Sequence, residues 1–249
     1  MIREISSLQH PLVKHLVKLR FNRDYRHEEQ AIVIEGIKLV NEVCSSHPTK
    51  MIVVTDEVLL PPGTPPEKAL IVSEAVMKKL SGMVTPEGIL AEVAMPVSDS
   101  LHGKRKIVAL DHIGDPGNLG TILRTALALG WEGCFILPNS SDPFNEKALR
   151  AARGATFRLP IATGHWSDLE ALIAKNNLRP LVANLQGAEV ASLPKAERIL
   201  LVLSSEAHGV SEDALRVCQN VCIPMKGDME SLNVAVAGGI LMYALTCGN

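Results

Sequence analysis

From residue 107 onward, short apolar segments alternate with segments of helical periodicity, and this alternation constrains the fold more than any other feature. Continuous apolar stretches predict strands at 107–110, 133–136, 179–183 and 199–203. Helices are predicted at 119–129, 145–152, 166–175 and 211–217. Strands that are apolar throughout are typical of parallel sheets covered on both faces. The C-terminal part is therefore predicted to be an α/β domain with a mostly parallel sheet.

The N-terminal part predicts a second, smaller α/β unit. Its periodicity indicates helices at 6–20, 37–46 and 73–80, and strands at 31–34, 51–55 and 88–94. Residues 98–106 are polar, with one glycine and three cations, as expected of a linker. We expect two domains, 1–97 and 107–249, which the chain length of 249 residues accommodates.

The charge of the chain is uneven. A net charge of −2 with 47% hydrophobic residues favours a globular protein and excludes the general basicity of a non-specific nucleic-acid binder. Residues 1–27, however, contain six cations and only two acids. Such a segment either contacts the phosphates of a nucleic acid or forms a solvated helix face. The cations predicted to make such contacts, with RNA if the family resemblance described below holds, are Lys14, Lys18, Arg20, Arg23 and Arg26.

The five cysteines indicate neither a disulfide framework nor a metal site. Cys218 and Cys222 could share one helical face, but no second pair or histidine partner completes a zinc site. Free thiols in a reducing cytosol are the expectation. No signal segment is recognised at the start, and the apolar run 234–247 is too short to cross a bilayer. The protein is predicted to be cytoplasmic, with no metal and no membrane contact.

Three polar segments follow predicted strands, where open α/β folds bind ligands. The first runs from Asp115 to Arg124, and its Asn118 is expected to cap the following helix while presenting an amide. Arg124 would add a planar fork of donors. A plain helix cap and a surface cation are the alternative interpretation.

The second and third segments carry a carboxylate and a polar helix start. Ser204-Ser205-Glu206 ends an apolar strand, so Glu206 could orient a donor above the sheet, or it could be an ordinary exposed acid. Ile223-Pro224-Met225 leads through a short loop to Ser231-Leu232-Asn233, where unpaired N–H groups of a helix start need partners. An ordinary helix start is the alternative. Neither a Gly-x-Gly-x-x-Gly turn nor a Walker loop is present.

Together the three segments resemble the ordered motifs of the SpoU (TrmH-like) RNA ribose 2′-O-methyltransferases of the SPOUT superfamily. The matching residues are Asn118-x-Gly120 with Arg124, Ser205-Glu206 with Gly209, and Ile223-Pro224-Met225 through Ser231-Leu232-Asn233-Val234. Residues 107–247 are covered densely. The N-terminal half, through Ile5-Ser6-Ser7, Glu35-Gly36 and Thr85-Pro86-x-Gly88-Ile89, resembles the ribosomal-protein-like substrate-binding domain of the rRNA-directed branch.

The resemblance implies a C-terminal trefoil knot, a homodimer and S-adenosylmethionine as cofactor. It assigns cofactor contacts to Asn184, Ser204, Gly209, Ile223, Met225 and Leu232, largely through backbone groups. Arg124 would bind the target phosphate and stabilise the developing alkoxide. Asn118, Glu206, Ser231 and Asn233 would hold the substrate and Arg124 in place.

The resemblance predicts methylation of a ribose 2′-hydroxyl in RNA, and 23S-type ribosomal RNA is the leading candidate for the substrate. A tRNA methyltransferase is one alternative. A non-catalytic RNA-binding assembly factor is another, because Ser204 and Ala207 stand where the family usually has glycine.

Overall fold

The computed structural model describes residues 2–81, 83–205, 209–227 and 230–247. The chain forms two compact units. One comprises Met1–Pro96 together with Phe144–Arg150, and the other comprises Val97–Pro143 and Ala151–Asn249. The short segment 144–150 therefore belongs to the N-terminal unit although it lies far along the chain.

The N-terminal unit is built on a five-stranded sheet with strand order β1-β4-β3-β5-β2. β1, β4 and β3 run parallel to one another, while β5 is antiparallel to both of its neighbours. The predicted strands and helices are present, whereas β1, α2 and β4 were not predicted. The elements are β1 (Arg3–Ile5), α1 (Pro11–Phe21), α2 (Arg23–Glu29), β2 (Ala31–Glu35), α3 (Ile37–Cys44), β3 (Thr49–Val54), β4 (Ala69–Val72), α4 (Glu74–Ser81) and β5 (Ile89–Ala94).

Helix α1 begins later than the periodicity predicts. His10 caps it by accepting from the Leu12 N–H, and Pro11 takes the first helical position, where a missing N–H costs nothing. Val13, Leu16 and Leu19 are fully buried on the core side of the helix. The opposite side of α1 faces solvent.

The C-terminal unit is built on a six-stranded sheet with strand order β11-β9-β10-β6-β7-β8, parallel throughout. The predicted α/β domain with a mostly parallel sheet is confirmed, and β8 and β11 complete it. The elements from residue 106 onward are β6 (Lys106–Asp111), α5 (Pro116–Ala128), β7 (Gly133–Ile136), α6 (Glu146–Ala152), β8 (Ile161–Thr163), α7 (Trp166–Asn176), β9 (Arg179–Glu189), β10 (Ile199–Ser204), α8 (Glu212–Val217), β11 (Gln219–Cys222) and α9 (Val234–Cys247). All of them belong to the C-terminal unit except α6, whose residues 146–150 belong to the N-terminal unit.

Strand β9 is longer than predicted because it pairs with β11 in two separate places. Asn220 pairs with Val182, but the next residue, Val221, pairs with Ala188. Between these pairs β9 bulges away and then returns at Gly187. A Cβ on Gly187 would lie 2.5 Å from the Val221 backbone nitrogen, so only glycine permits this approach.

The small residues of α9 pack inside the C-terminal unit. A Cβ on Gly238 would meet Leu203 Cδ1 of β10 at 2.5 Å, and one on Gly239 would lie 3.5 Å from Thr125 Cγ2 of α5. Gly238 therefore allows α9 to lie close to the sheet, whereas a Cβ on Gly239 would make only an ordinary contact with α5. Among the helices described, none is long and apolar enough to span a membrane.

Candidate active site

A cleft of about 280 Å³ lies where β9, β10 and β11 end their pairing. This is the edge of a parallel sheet at which ligands bind in open α/β folds. All six residues predicted to contact a cofactor line this cleft, together with Ser231. The six are Asn184, Ser204, Gly209, Ile223, Met225 and Leu232. Residues from three distant segments thus share one cavity.

The lining of the cleft is mainly apolar, with a few polar groups at its margin. Leu203, Val210 and Leu241 contribute apolar surface. Asn184 is fixed by its own side-chain bonds, donating to Asn220 Oδ1 at 3.3 Å and accepting from the Gln186 N–H at 3.1 Å. Apolar walls with a few placed polar groups are typical of small-molecule sites.

Gly209 has a backbone reason to be glycine. Its φ of +69° lies in the left-handed region, which side chains disfavour, and its N–H donates to Ser205 O at 2.9 Å. This hydrogen bond holds Gly209 beside the end of β10, where Gly209 and Ser205 both line the cleft. Glu206 and Ala207, predicted in the same loop, lie outside the described residues.

Ser204 does not block the cleft with its hydroxyl. Its Oγ is shielded from solvent and has no hydrogen-bond partner in the described part of the chain. The residue lines the cavity, while its hydroxyl oxygen is turned away from open space. This arrangement agrees with contacts made through backbone groups at this position.

Asn118 and Asn233 meet between α5 and α9. Asn233 Nδ2 donates to Asn118 Oδ1 at 3.0 Å, and Asn233 Oδ1 accepts from the Ala235 N–H at 3.0 Å and the Val236 N–H at 3.3 Å. Asn233 therefore caps α9 and ties it to α5. The motif around Asn118 and the motif around Asn233 are therefore joined by a side-chain hydrogen bond.

The prediction that Asn118 caps α5 is wrong. Asp115 is the cap: its Oδ1 accepts from the Asn118 N–H at 2.7 Å, and Pro116 takes the first helical position. Asn118 lies in the first turn of the helix, after the cap, and its amide oxygen accepts from Asn233. The Asp-Pro pair is the feature of the sequence that could have located this helix start.

Arg124 is an exposed side chain on α5. Among the described residues, none forms a hydrogen bond or ion pair with its guanidinium. Its five donors are therefore available to a ligand.

A buried carboxylate that the sequence did not reveal supports the loop at the cleft. Asp111 is 1% exposed; Ser211 Oγ donates to its Oδ2 at 2.6 Å, and His112 Nδ1 lies 2.8 Å from its Oδ1. Ser211 also caps α8. Asp111 thereby fixes the end of the loop that carries Gly209 and Val210. The sequence signal that could have revealed this carboxylate is its position, because Asp111 is a polar residue at the end of the apolar strand β6.

Two of the cysteines, Cys134 and Cys218, have buried thiols that do not ionise readily. Burial, with the charge of Asp111 second, raises the pKa of Cys218 to about 12, and burial raises the pKa of Cys134 as well. Cys218 follows α8 and Cys222 ends β11, so the proposed shared helical face is wrong. In the described ranges, no group of three or more His, Cys, Asp or Glu side chains could hold a metal ion.

Two of the five cations predicted to contact RNA are buried, which corrects that prediction. Arg26 is 3% exposed and donates to the carbonyls of Leu19 and Arg20. Arg20 is 7% exposed and is bound to Leu80 O and the Glu146 carboxylate. Lys14, Lys18 and Arg23 remain exposed.

Comparison with known proteins agrees with this geometry. Residues 105–243 match the SpoU rRNA methylase family, and residues 10–91 match an MRM3-like substrate-binding domain. The chain belongs to the SpoU rRNA methylase family. Its N-terminal match lies within the N-terminal unit, and its SpoU match begins at residue 105, in the C-terminal unit.

Similar SpoU proteins include enzymes of ribosomal RNA. The chain is 32% identical over 248 residues to the 23S rRNA (guanosine(2553)-2′-O)-methyltransferase RlmP of Bacillus subtilis, covering 98% of this chain and 99% of that protein. A crystal structure of an AdoMet-bound rRNA methyltransferase from Sinorhizobium meliloti matches with a TM-score of 0.88 and 28% identity, covering 98% and 97% of the two chains. A putative TrmH-family RNA methyltransferase from Porphyromonas gingivalis matches with a TM-score of 0.85 and 31% identity, covering 96% and 98%.

Proposed function

We propose that this chain transfers the methyl group of S-adenosylmethionine to a ribose 2′-hydroxyl of ribosomal RNA. The observation that carries the proposal is the convergence of three separate sequence motifs on one cleft and its border. Similarity to an rRNA 2′-O-methyltransferase along nearly the whole chain supports the reaction class and the choice of ribosomal RNA over tRNA.

The cleft suits S-adenosylmethionine. Leu203, Leu232 and Leu241 provide apolar surface for a purine ring, and Asn184 and Ser231 provide polar groups at the margin. When bound, the cofactor supplies an electrophilic sulfonium methyl group. These observations support cofactor contacts by the six cleft residues.

Arg124 is proposed to act on the substrate as a donor. An arginine side chain stays protonated, so it cannot remove the proton of the 2′-hydroxyl. Its guanidinium instead binds the neighbouring phosphate and stabilises negative charge that develops on the 2′-oxygen. The Asn118–Asn233 bond fixes the first turn of the helix that carries Arg124. Ser231 and Glu206 are proposed to help position the ribose.

Replacing Arg124 with Ala tests this assignment. Removing a donor to developing charge is expected to lower kcat about 100-fold or more, with S-adenosylmethionine binding retained. Methyl transfer to ribosomal RNA and calorimetric cofactor binding measure the two effects. Lys175→Ala, which removes an exposed cation from α7, is the control and should keep full activity. Full activity of Arg124→Ala contradicts the assignment.

We also propose a homodimer that uses α9. Val236, Ile240 and Tyr243 are 52%, 41% and 59% exposed, and their spacing places them on one helical face. An exposed apolar stripe of this kind favours burial against a second copy. Sedimentation equilibrium should give twice the chain mass, and a monomer at micromolar concentration would contradict the dimer.

The trefoil knot and the cytoplasmic location complete the proposal. The match of residues 105–243 to the SpoU rRNA methylase family supports the knot, which the family resemblance implies. Free thiols at Cys44, Cys134, Cys218 and Cys222 support a reducing compartment.

A further inference from the structure

Phe21 is an exposed aromatic ring in a chain that has few of them. The sequence contains four phenylalanines, and Phe21, the last residue of α1, is 66% exposed. Single exposed apolar residues are common and need no function. The setting of this ring is what distinguishes it.

The ring is held in place from one side. The Arg20 guanidinium carbon lies 4.8 Å from the Phe21 ring centroid, within the range of a cation–π contact. Arg20 is itself immobilised, since its Nη1 donates to Leu80 O at 2.7 Å and it is ion-paired with Glu146. The ring therefore has a fixed support on one side and remains mostly in solvent.

Cations share the solvent face of α1 with this ring. Lys14, Lys18 and Phe21 are spaced by four and three residues, which places them along one stripe of the helix. Helix α1 contains no acidic residue. Lys18 Nζ lies 3.8 Å from the Tyr25 ring centroid, and the exposed Arg23 follows at the start of α2.

We propose that Phe21 is a stacking platform for an unpaired base of the RNA substrate, with phosphates on either side bound by Lys14, Lys18 and Arg23. This inference rests on the proposed function. Proteins that bind single-stranded RNA combine aromatic rings that stack on bases with cations that follow the backbone. A protein partner would require apolar surface around the ring, whereas the stripe offers lysines.

Stacking can be measured with a short single-stranded RNA that carries one fluorescent adenine analogue, whose emission falls when it stacks. The full-length protein should quench this emission and bind the RNA. Phe21→Leu keeps an apolar side chain but removes the aromatic face, so it should bind about tenfold more weakly without quenching. Phe21→Trp should restore both. Lys18→Ala should weaken binding and reduce its salt dependence by about one charge.

Two controls separate this inference from the proposed function. Val58→Ala removes an apolar side chain that is 82% exposed in the same unit and should change nothing. Methyl transfer to deproteinised ribosomal RNA is measured for every variant, and Phe21→Leu should raise KM for RNA while kcat and cofactor affinity stay unchanged.

The outcomes are distinct. If the wild-type protein methylates RNA while Phe21→Leu matches it in affinity and quenching, the stacking platform is overturned and the proposed function stands. A wild-type protein that neither binds nor methylates RNA overturns both. Loss of binding in Phe21→Leu without any quenching by the wild-type protein points to a non-stacking contact and also overturns the inference.

Discussion

Ser204 is a residue whose side chain and backbone have different surroundings. It lines the cleft, yet its hydroxyl oxygen is shielded from solvent and has no partner within the described ranges. A buried hydroxyl without a hydrogen bond costs about 1–3 kcal/mol. Ser204 therefore lowers the stability of the free protein without obstructing the cavity.

Replacing Ser204 with Ala should stabilise the free protein by about 1 kcal/mol, because the unsatisfied hydroxyl is removed and the Cβ is kept. The affinity for S-adenosylmethionine should change by less than about threefold, because the backbone contacts of residue 204 are kept. A tenfold change would require a loss of about 1.4 kcal/mol of binding free energy. Urea unfolding and calorimetric titration measure these quantities. A large loss of affinity would show that the hydroxyl turns toward the cofactor instead.

Side-chain burial is the property that the sequence did not predict at the residue scale. Lys14 and Arg20 look equivalent in a basic helix, but Arg20 falls on the core side and is bound by Glu146, 126 residues away. Asp111 likewise gains its partner Ser211 only when β6 and β10 lie side by side. Such partners depend on the tertiary fold, so local spacing could not reveal them.

Helices α5 and α9 are joined at their first turns by one amide pair. Asn233 caps α9 with its Oδ1 and bonds Asn118 with its Nδ2. The two functions use different atoms of the same side chain, so substitutions can separate them.

Asn233→Ala should destabilise the protein by about 1 kcal/mol through loss of the cap, and should also reduce methyl transfer. Asn233→Asp retains an oxygen that caps the helix but places a carboxylate against Asn118 Oδ1. The Asn233→Asp protein should unfold at nearly the same urea concentration as the wild type. Its methyl transfer should be reduced as much as that of Asn233→Ala. Equal activity of Asn233→Asp and wild type would mean that the bond to Asn118 does not matter for the reaction.

Element types were predicted better than element boundaries. The apolar strands of the C-terminal unit stand where predicted because their residues are apolar in succession, and those of β6, β7 and β10 are almost all buried. β1 and β8, with three residues each, carry too little pattern to be recognised. The second half of β9 has exposed polar positions and is held by pairing with β11, which no local pattern reveals.

At the scale of the whole molecule, sequence matches and packing units do not coincide. The SpoU match spans residues 105–243, yet residues 144–150 within it pack with the N-terminal unit. The sequence predicted a domain boundary near residue 97. It did not predict that residues 144–150 pack with the N-terminal unit. Its contacts include the Glu146 ion pair with Arg20, whose side chain is 6% exposed.

Glu146→Gln should therefore destabilise the N-terminal unit, although Glu146 lies in the SpoU part of the sequence. Loss of the partner leaves the charge of Arg20 buried and uncompensated, at a cost of about 3 kcal/mol. Hydrogen exchange of α1 and α4 amides should accelerate about 100-fold, while amides of β10 keep their protection. Glu170→Gln, which breaks an exposed pair with Arg216, is the matched control and should change exchange little. Unchanged protection of α1 would show that Arg20 is stabilised by its backbone contact to Leu80 alone.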